Sequence, residues 1–209
     1  MLKLATLISG GGRTVLNLQE RIERGELDAR IELVIASRKN ITGIERARRA
    51  GLPVEVVPRR SFADTESFSV EIWRVIDASL TPADGLVVLA GFLSLLRIPD
   101  AWAARVINIH PALLPNFGGK GMYGERVHAA VLAAGEQESG CTVHFADARY
   151  DQGPIIGQKR CPVLPGDDAE SLAARVFELD CQLYPAVVRA FAEDRISLKQ
   201  GRVLIQGEL

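Results

Sequence analysis

The sequence predicts an α/β protein with an open, mainly parallel twisted sheet and helices on both faces. Two features of the chain support this prediction. Short apolar runs alternate with longer stretches of helical periodicity, which is typical of strand-helix-strand units. A glycine-rich segment, Ser9 to Thr14, separates the first apolar run from the first helical stretch, as in the first turn of many parallel sheets.

The predicted strands are the short apolar runs. The first runs directly into glycines and has neither the charged flank nor the cleavage site of a signal peptide, so we interpret it as a strand. The fifth carries polar side chains at its carboxyl end. The strands are expected near residues 3–8, 31–36, 53–57, 85–89, 105–109, 141–145 and 154–163.

The predicted helices fill most of the gaps between the strands. The last is the longest: Asp167 and Asp168 at its start cap free amides and oppose the helix dipole, and Leu172, Val176 and Leu183 follow at helical spacing. We expect it to pack across the sheet. The helices are expected over about residues 14–24, 42–50, 64–79, 125–134 and 168–193.

Length and composition indicate one domain. A hydrophobic share of 47% and a charged share of 24% are ordinary for a soluble globular protein, and 209 residues suffice for one sizeable core. No repeat, low-complexity tract or composition shift marks a linker. We therefore expect a single domain over 1–209, with the glycine-rich segment in a first half of about 1–100 and the candidate catalytic residues in a second half of about 101–209.

Charge and cysteine usage exclude several classes of protein. With 25 basic and 26 acidic residues, the chain gives no reason to expect a nucleic-acid partner or a membrane-surface patch. The longest apolar stretch, 85–96, is shorter than the roughly 18 residues of a membrane span. Cys141, Cys161 and Cys181 are odd in number and lack a Cys-x-x-Cys pattern, which favours neither disulfides nor zinc and makes a reducing cytoplasm the default.

The glycine-rich segment Ser9-Gly10-Gly11-Gly12-Arg13-Thr14 is a candidate anion site. Consecutive glycines let the backbone approach a ligand closely, and the free amides at a helix start attract an anion. No Gly-Lys-Ser/Thr follows, and Val15 occupies the third glycine position of a dinucleotide fingerprint, so a single phosphate is the better interpretation. The alternative is a tight strand-to-helix turn without a ligand.

The candidate catalytic group combines Asn108 and His110, at the end of the fifth predicted strand, with Asp151 further along the chain. Residues two apart on a strand share a face, so Asn108 and His110 can converge on one oxygen atom. An amide and an imidazole stabilise an oxyanion, and a nearby carboxylate is expected to hold His110 in its charged form. These groups suit acyl or formyl transfer without a covalent intermediate.

The other two histidines receive different interpretations. His128 falls on a predicted helix and is expected to be structural or solvated. His144 alternates with Val143 and Phe145 on a predicted strand, which makes it either a group in the pocket wall or behind the catalytic residues, or an ordinary strand residue.

With these residues in place, the chain resembles the folate-dependent phosphoribosylglycinamide formyltransferases of purine synthesis, whose Rossmann-like fold carries the corresponding motifs in the same order. The segment that contains His110 is shared with all relatives that use formyltetrahydrofolate, whereas the full set of motifs at this length is fairly specific to this family. The matching stretches are Ile8 to Gly12, Val88 to Phe92, Asn108 to Pro115, Ser139 to Phe145 and Asp151 to Ile156.

The resemblance implies the roles of individual residues. It implies that Asn108, His110 and Asp151 are catalytic. It implies that 10-formyltetrahydrofolate is a cosubstrate, that no metal is needed, that the partners are small-molecule substrates, and that the protein is a monomer or homodimer. The implied contacts of the phosphoribosyl glycinamide are Gly12, Arg13, Thr14, Asn108 and Asp180. The resemblance also implies that the loop from Ala146 to Asp151 joins the wall of the folate pocket. The implied contacts of the folate are Leu93, Ser94, Leu95, Leu96, Asn108, Ala146 and Asp151.

The chain departs from the family pattern at several positions. Relatives often carry arginine where this chain has Thr65 and Ser94, and glutamate where it has Asp180. The glycine-rich segment 116–124 is longer than in the best-known members. It is interpreted either as a substrate-covering loop in which Lys120 meets an anion or as a solvated loop.

Three other functions are weighed as alternatives. A formyltetrahydrofolate hydrolase would use the same residues with water in place of the amine, but is expected to carry an additional amino-terminal regulatory domain and to need no phosphate loop. A transfer-RNA formyltransferase should have a further carboxyl-terminal domain. A catalytically silent folate- or nucleotide-binding module is the alternative from another class, and the intact Asn108, His110 and Asp151 argue against it.

Overall fold

The fold is described by a computed structural model that covers residues 1–209. It contains nine strands and five α-helices, with short 3-10 turns at Arg59–Ser61 and Asp100–Trp102. The strands are β1 (Leu2–Ile8), β2 (Ala29–Ala36), β3 (Val54–Val56), β4 (Gly85–Leu89), β5 (Val106–His110), β6 (Glu138–Phe145), β7 (Ile155–Pro162), β8 (Ile196–Lys199) and β9 (Arg202–Ile205). The helices are α1 (Arg13–Glu23), α2 (Thr42–Arg49), α3 (Thr65–Asp77), α4 (Glu125–Ala133) and α5 (Ala169–Ala192).

Seven strands form one sheet in the order β3-β2-β1-β4-β5-β6-β7. The pairs from β3 to β5 are parallel, and β6 and β7 are added antiparallel. The predicted open, mainly parallel sheet is therefore confirmed. Strand order reverses at β1, which lies between β2 and β4, and ligands of such sheets bind beyond the carboxyl ends of the strands near this point. The glycine-rich segment follows β1 and the segment 90–96 follows β4, so both flank this crevice.

Helices cover both faces of the sheet, also as predicted. Successive residues of β1 alternate between two apolar cores: Leu4 and Ile8 face the core beneath α1, α2, α4 and α5, whereas Ala5 and Leu7 face the core beneath α3. This period-2 alternation is what a strand buried on both sides requires. No helix is both long and apolar enough to cross a membrane.

Helix α5 crosses the larger core, as its apolar periodicity predicted. Asp168 caps its start, accepting from the Ser171 amide at 2.8 Å while the Ser171 hydroxyl accepts from the Asp168 amide. Near its end the fully buried Tyr184 donates its hydroxyl towards the carbonyls of Leu89 (3.1 Å) and Ile107 (3.0 Å). The helix thereby braces β4 and β5 where they approach the crevice.

The β8–β9 hairpin was not predicted from the sequence. Its strands have four residues each and pair only with each other. Gln200 and Gly201 at the turn both have positive φ, 50° and 73°, as in the tight turns that match strand twist. The Gln200-Gly201 pair was the one feature of the sequence that could have predicted this turn.

Candidate active site

The predicted catalytic side chains meet at the carboxyl end of β5. Asn108 and His110 lie on the same side of the strand, and each faces a different oxygen of the Asp151 carboxylate. Asn108 Nδ2 lies 3.3 Å from Asp151 Oδ1, and His110 Nδ1 lies 3.5 Å from Asp151 Oδ2. The two side chains therefore converge on one carboxylate group, which sequence spacing alone could not place.

Asp151 is held in the β6–β7 connection by local backbone constraints. Its φ is 56°, a left-handed conformation that aspartate tolerates better than most residues. Two residues later the chain passes so close to β6 that a Cβ on Gly153 would lie 1.8 Å from the Phe145 carbonyl oxygen. The Gly119 amide donates to Asp151 Oδ2 at 2.9 Å. The carboxylate is thus fixed both by its own loop and by segment 116–124.

The Asp151 carboxyl is ionised at neutral pH. Burial by itself raises its pKa, but His144, His110 and the Gly119 amide act in the opposite direction and lower the pKa below its ordinary value. An ionised carboxylate accepts hydrogen bonds only. It accepts from two donors, the Gly119 amide and Asn108 Nδ2.

His110 is buried and its ring orientation is set by a carbonyl. Its Nε2 lies 2.8 Å from the Phe117 carbonyl oxygen, which can only accept, so Nε2 carries a proton. Burial lowers the pKa of His110, and although Asp151 and the Phe117 carbonyl both act to raise it, the net shift is downward. The expectation that Asp151 holds His110 charged is therefore wrong for the free protein, because the loss of hydration outweighs the carboxylate.

His144 orients the amide of Asn108. The two residues are directly opposite each other in the β5–β6 pair. His144 Nδ1 donates to the Phe145 carbonyl at 2.8 Å, which leaves Nε2 to accept from Asn108 Nδ2 at 3.0 Å. The same Nε2 is 3.6 Å from Asp151 Oδ1. His144 is thus a buried neighbour of Asn108 and Asp151.

The chain segment after His110 is fixed by a neighbour on β6. Thr142, the cross-strand partner of His110, donates its hydroxyl to the Ala112 carbonyl at 2.7 Å and accepts from the Leu114 amide at 3.1 Å. Both contacts are buried. The run of prolines and leucines that follows the histidine therefore leaves the sheet in one defined direction.

An open cleft of ≈ 430 Å³ leads to Asn108 and Asp151. Of the predicted folate contacts, Ser94, Leu95, Leu96, Asn108, Ala146 and Asp151 line it. Leu93 does not line the cleft; its amide instead donates to Ser9 Oγ at 2.9 Å. Thr65 does not line it either. The remaining walls are Leu89, Phe92, Ile98, His144, Asp147, Arg149 and Tyr150.

A second, larger cleft of ≈ 720 Å³ opens on the other side of Asp151. Tyr150 and Asp151 line both clefts, so the carboxylate stands where they meet. The second cleft is also lined by Leu114, Pro115, Gly118, Gly119, Gln152, Gly153 and Ile155. Lys120 is exposed and makes no ion pair, so its proposed anion contact stays a prediction.

The glycine-rich segment forms the amino-terminal cap of α1. Gly12 is the N-cap with φ 68°, and no acidic residue occupies the first turn. The start of α2 packs directly on it: a Cβ on Gly43 would lie 2.4 Å from the Gly10 carbonyl oxygen. Arg46 Nη1 donates to the Gly11 carbonyl at 2.8 Å. Free amides and a nearby guanidinium make this end of α1 suited to an anion.

Two further predicted substrate contacts lie between α1 and α5. The Arg13 guanidinium stacks over the Phe177 ring, 4.1 Å from its centroid. Asp180, one turn further along α5, has an inaccessible Oδ1 with no hydrogen-bond partner. In this part of the site, Asp180 Oδ1 is therefore a buried oxygen that lacks a hydrogen-bond donor.

His128 is a buried helix residue, as the structural interpretation expected. It lies on α4 with 4% of its surface exposed, and its Nδ1 has no partner. Burial and, to a lesser extent, the neighbouring His110 lower its pKa.

Comparisons with known proteins agree with this geometry. The profile of the formyl transferase family matches residues 2–188. The phosphoribosylglycinamide formyltransferase of Haemophilus influenzae is 32% identical over 210 residues, an alignment that covers 100% of this chain and 95% of that protein. The chain belongs to the phosphoribosylglycinamide formyltransferases of the formyl transferase family.

Two further comparisons extend the assignment. The chloroplastic phosphoribosylglycinamide formyltransferase of Vigna unguiculata is 40% identical; the match covers 98% of this chain, which spans 65% of the length of that relative. The crystal structure of glycinamide ribonucleotide transformylase 1 from Symbiobacterium toebii superposes with a TM-score of 0.90 and 35% identity, covering 99% of this chain and 95% of the other. Phosphoribosylglycinamide formyltransferases act in de novo purine biosynthesis and use a folate cosubstrate.

Sequence reasoning missed several groups of this formyltransferase site. The Phe117 carbonyl contacts His110 and the Gly119 amide contacts Asp151. Both are backbone groups, so the residue types at these positions do not indicate the contacts. Arg46 reaches the glycine-rich segment from another helix. Arg149 and Tyr150, by contrast, belong to the loop from Ala146 to Asp151 that the resemblance implied as part of the folate pocket, and both line the cleft.

Proposed function

We propose that this chain transfers the formyl group of 10-formyltetrahydrofolate to the amino group of 5-phosphoribosyl glycinamide, and that Asn108, His110 and Asp151 perform the transfer. The observation that supports this most directly is the convergence of Asn108 and His110 on the Asp151 carboxylate, which lines both clefts. The proposal treats 1–209 as a single domain that acts as a monomer or a homodimer. The three cysteines are free thiols, which suits a reducing compartment such as the cytoplasm.

Each substrate has a complementary surface in this proposal. The folate occupies the cleft walled by Ser94, Leu95, Leu96 and Ala146, which combines apolar side chains with a few polar groups. The ribose phosphate binds the free amides at Gly12, Arg13 and Thr14, where the helix dipole favours negative charge. Asp180 accepts a hydrogen bond from the same substrate.

The amine attacks the formyl carbon, and negative charge then develops on the formyl oxygen. Asn108 Nδ2 is the donor that stabilises it. In the free protein Nδ2 donates to His144 at 3.0 Å and to Asp151 at a longer 3.3 Å. The longer bond is the weaker one, so the formyl oxygen replaces Asp151 while the His144 contact keeps the amide in place.

The proton of the attacking amine passes to the His110–Asp151 pair. His110 Nε2 donates a hydrogen bond to the Phe117 carbonyl. In neutral His110 the other nitrogen, Nδ1, therefore carries a lone pair, which faces the Asp151 carboxylate at 3.5 Å. Two acceptors facing each other repel, and one proton placed between them removes the repulsion. Uptake of the amine proton therefore creates an imidazolium beside the oxyanion and stores the proton needed by the departing folate nitrogen.

Product analysis tests this function. Purified protein with both substrates is expected to yield formylated phosphoribosyl glycinamide, and His110→Ala to lose the activity. Formate release that is equally fast without the glycinamide substrate would instead indicate a hydrolase. Tight binding of both substrates with no product would indicate a silent binding module.

A further inference from the structure

The face of the sheet that carries Asn108 and His110 continues across β6 and β7. Thr142 on β6 is the cross-strand partner of His110, and Gln158 on β7 is the cross-strand partner of Thr142. Residues directly opposite each other on neighbouring strands point to the same face of a sheet. His110, Thr142 and Gln158 therefore form one row of side chains, and the half-buried Gln158 is its outer member.

The carboxamide of Gln158 holds the chain segment that follows His110. Its Nε2 donates to the Leu114 carbonyl and to Thr142 Oγ1, both at 2.9 Å, and both partners are buried. The amide thus uses both of its hydrogens. The Thr142 hydroxyl gives its own hydrogen to the Ala112 carbonyl and accepts from the Leu114 amide. Every donor of the network is engaged, and Leu114 is bound through both its amide and its carbonyl.

Leu114 in turn supports the backbone that contacts the catalytic pair. A Cβ on Gly118 would lie 2.5 Å from Leu114 Cδ2 and 3.2 Å from Asp151 Cβ, so Gly118 packs between these two side chains. The carbonyl of the residue before Gly118 accepts from His110 Nε2, and the amide of the residue after it donates to Asp151 Oδ2. The position of Leu114 therefore determines where these two backbone groups lie.

We propose that Gln158 is a positioning residue for the catalytic pair: its carboxamide fixes Leu114, and thereby the backbone groups that orient His110 and Asp151. The inference rests on the proposed function and deepens it. Gln158 lines neither cleft, so it acts through these contacts and not on a substrate.

Loss of this support has a predictable effect on His110. The Phe117 carbonyl acts to raise the pKa of His110, so weakening that contact lowers the pKa further. Three titratable side chains face His110: Asp151, His144 and His128. None of them hydrogen-bonds to Gln158, whose substitution therefore acts on the pKa through the segment 114–119. Because neutral His110 takes up the amine proton, the acid limb of kcat moves to lower pH.

Substitution of the amide tests the inference. Gln158→Met removes both donors and keeps a side chain of similar length, whereas Gln158→Glu keeps the shape and replaces the donor by an oxygen. We expect each to lower kcat about 10- to 100-fold, because a small displacement of a catalytic group has an effect of this size, and to change the KM for the folate much less. The acid limb is expected to move to lower pH in Gln158→Met.

The matched control is Gln137→Met. Gln137 is an exposed glutamine just before β6, and its Nε2 donates to the Gly135 carbonyl at 3.2 Å, outside the row formed by His110, Thr142 and Gln158. It is expected to keep the wild-type kcat and pH profile. The inference is overturned if Gln158→Met and Gln158→Glu both keep them as well, or if Gln137→Met is equally impaired.

A titration of His110 in the free protein separates positioning from a purely structural role. A structural role would lower stability without moving the midpoint of His110, which NMR of the imidazole measures without substrates. We expect the midpoint to fall in Gln158→Met, or in Gln158→Leu if the first variant does not fold. An unchanged midpoint overturns the inference even if the wild type transfers formyl groups. A wild type that forms no formylated product refutes the proposed function instead.

Discussion

At the scale of single residues, reactivity depends on which atoms are already engaged. Asn108 uses its amide nitrogen twice, and only the longer contact, to Asp151, is readily given up. His110 has one nitrogen committed to Phe117 and the other facing a carboxylate. In the free protein, Asn108 Nδ2 is therefore available as a donor and His110 Nδ1 as a proton acceptor for the substrates.

Replacing the oxyanion donor should slow the chemical step. We expect Asn108→Ala to lower kcat about 100- to 1000-fold, the usual loss for one such donor, with a much smaller change in the KM for the folate. Steady-state kinetics with both substrates varied measures this. The control is Asn116→Ala, an exposed asparagine on the loop after His110. Equal effects of the two substitutions would contradict the role of Asn108.

The pH profile tests the coupling of His110 to Asp151. Neutral His110 is the form that takes up the amine proton, so kcat should fall as pH drops through its lowered pKa. Asp151 acts to raise that pKa, so Asp151→Asn should move the acid limb to lower pH and also reduce the plateau about 100- to 10,000-fold. Measuring kcat of both proteins from pH 5 to 9 shows whether the acid limb and the plateau change. An unchanged limb and plateau would remove Asp151 from the mechanism.

At the scale of elements, α5 supports the strands that carry the site. Tyr184 contacts carbonyls of β4 and β5 from within the larger core. We expect Tyr184→Phe to lower the free energy of unfolding by about 1 kcal/mol, because two buried carbonyls lose a donor. Urea denaturation measures this loss. Tyr123→Phe, at an exposed tyrosine, should change stability by much less, and similar losses would contradict the bracing role.

The elements themselves could be predicted from the sequence because their patterns are local. The seven sheet strands and five helices were all expected, most with ends within one or two residues of those observed. β6 is longer than predicted, because Glu138 to Gly140 are not apolar yet complete the ladder with β7. The β8–β9 hairpin was missed because four-residue strands give almost no periodicity.

At the scale of the whole molecule, the site depends on pairings that no local pattern encodes. Asn108 and His110 could be placed on one face from their spacing. Their distance to Asp151 depends on β6 lying antiparallel beside β5, which puts His144 opposite Asn108 and brings the β6–β7 loop over the strand end. The resemblance supplied Asp151. The lowered pKa of His110 could not be foreseen, since it depends on burial by the complete fold.

A crystal structure with a 10-formyltetrahydrofolate analogue and phosphoribosyl glycinamide tests the central claim most directly. We predict the formyl oxygen within about 3 Å of Asn108 Nδ2, the His110–Asp151 pair beside the attacking amine, and the phosphate on the amides of Gly12 to Thr14. A formyl group bound away from Asn108, or a phosphate held elsewhere in the crevice, would contradict it.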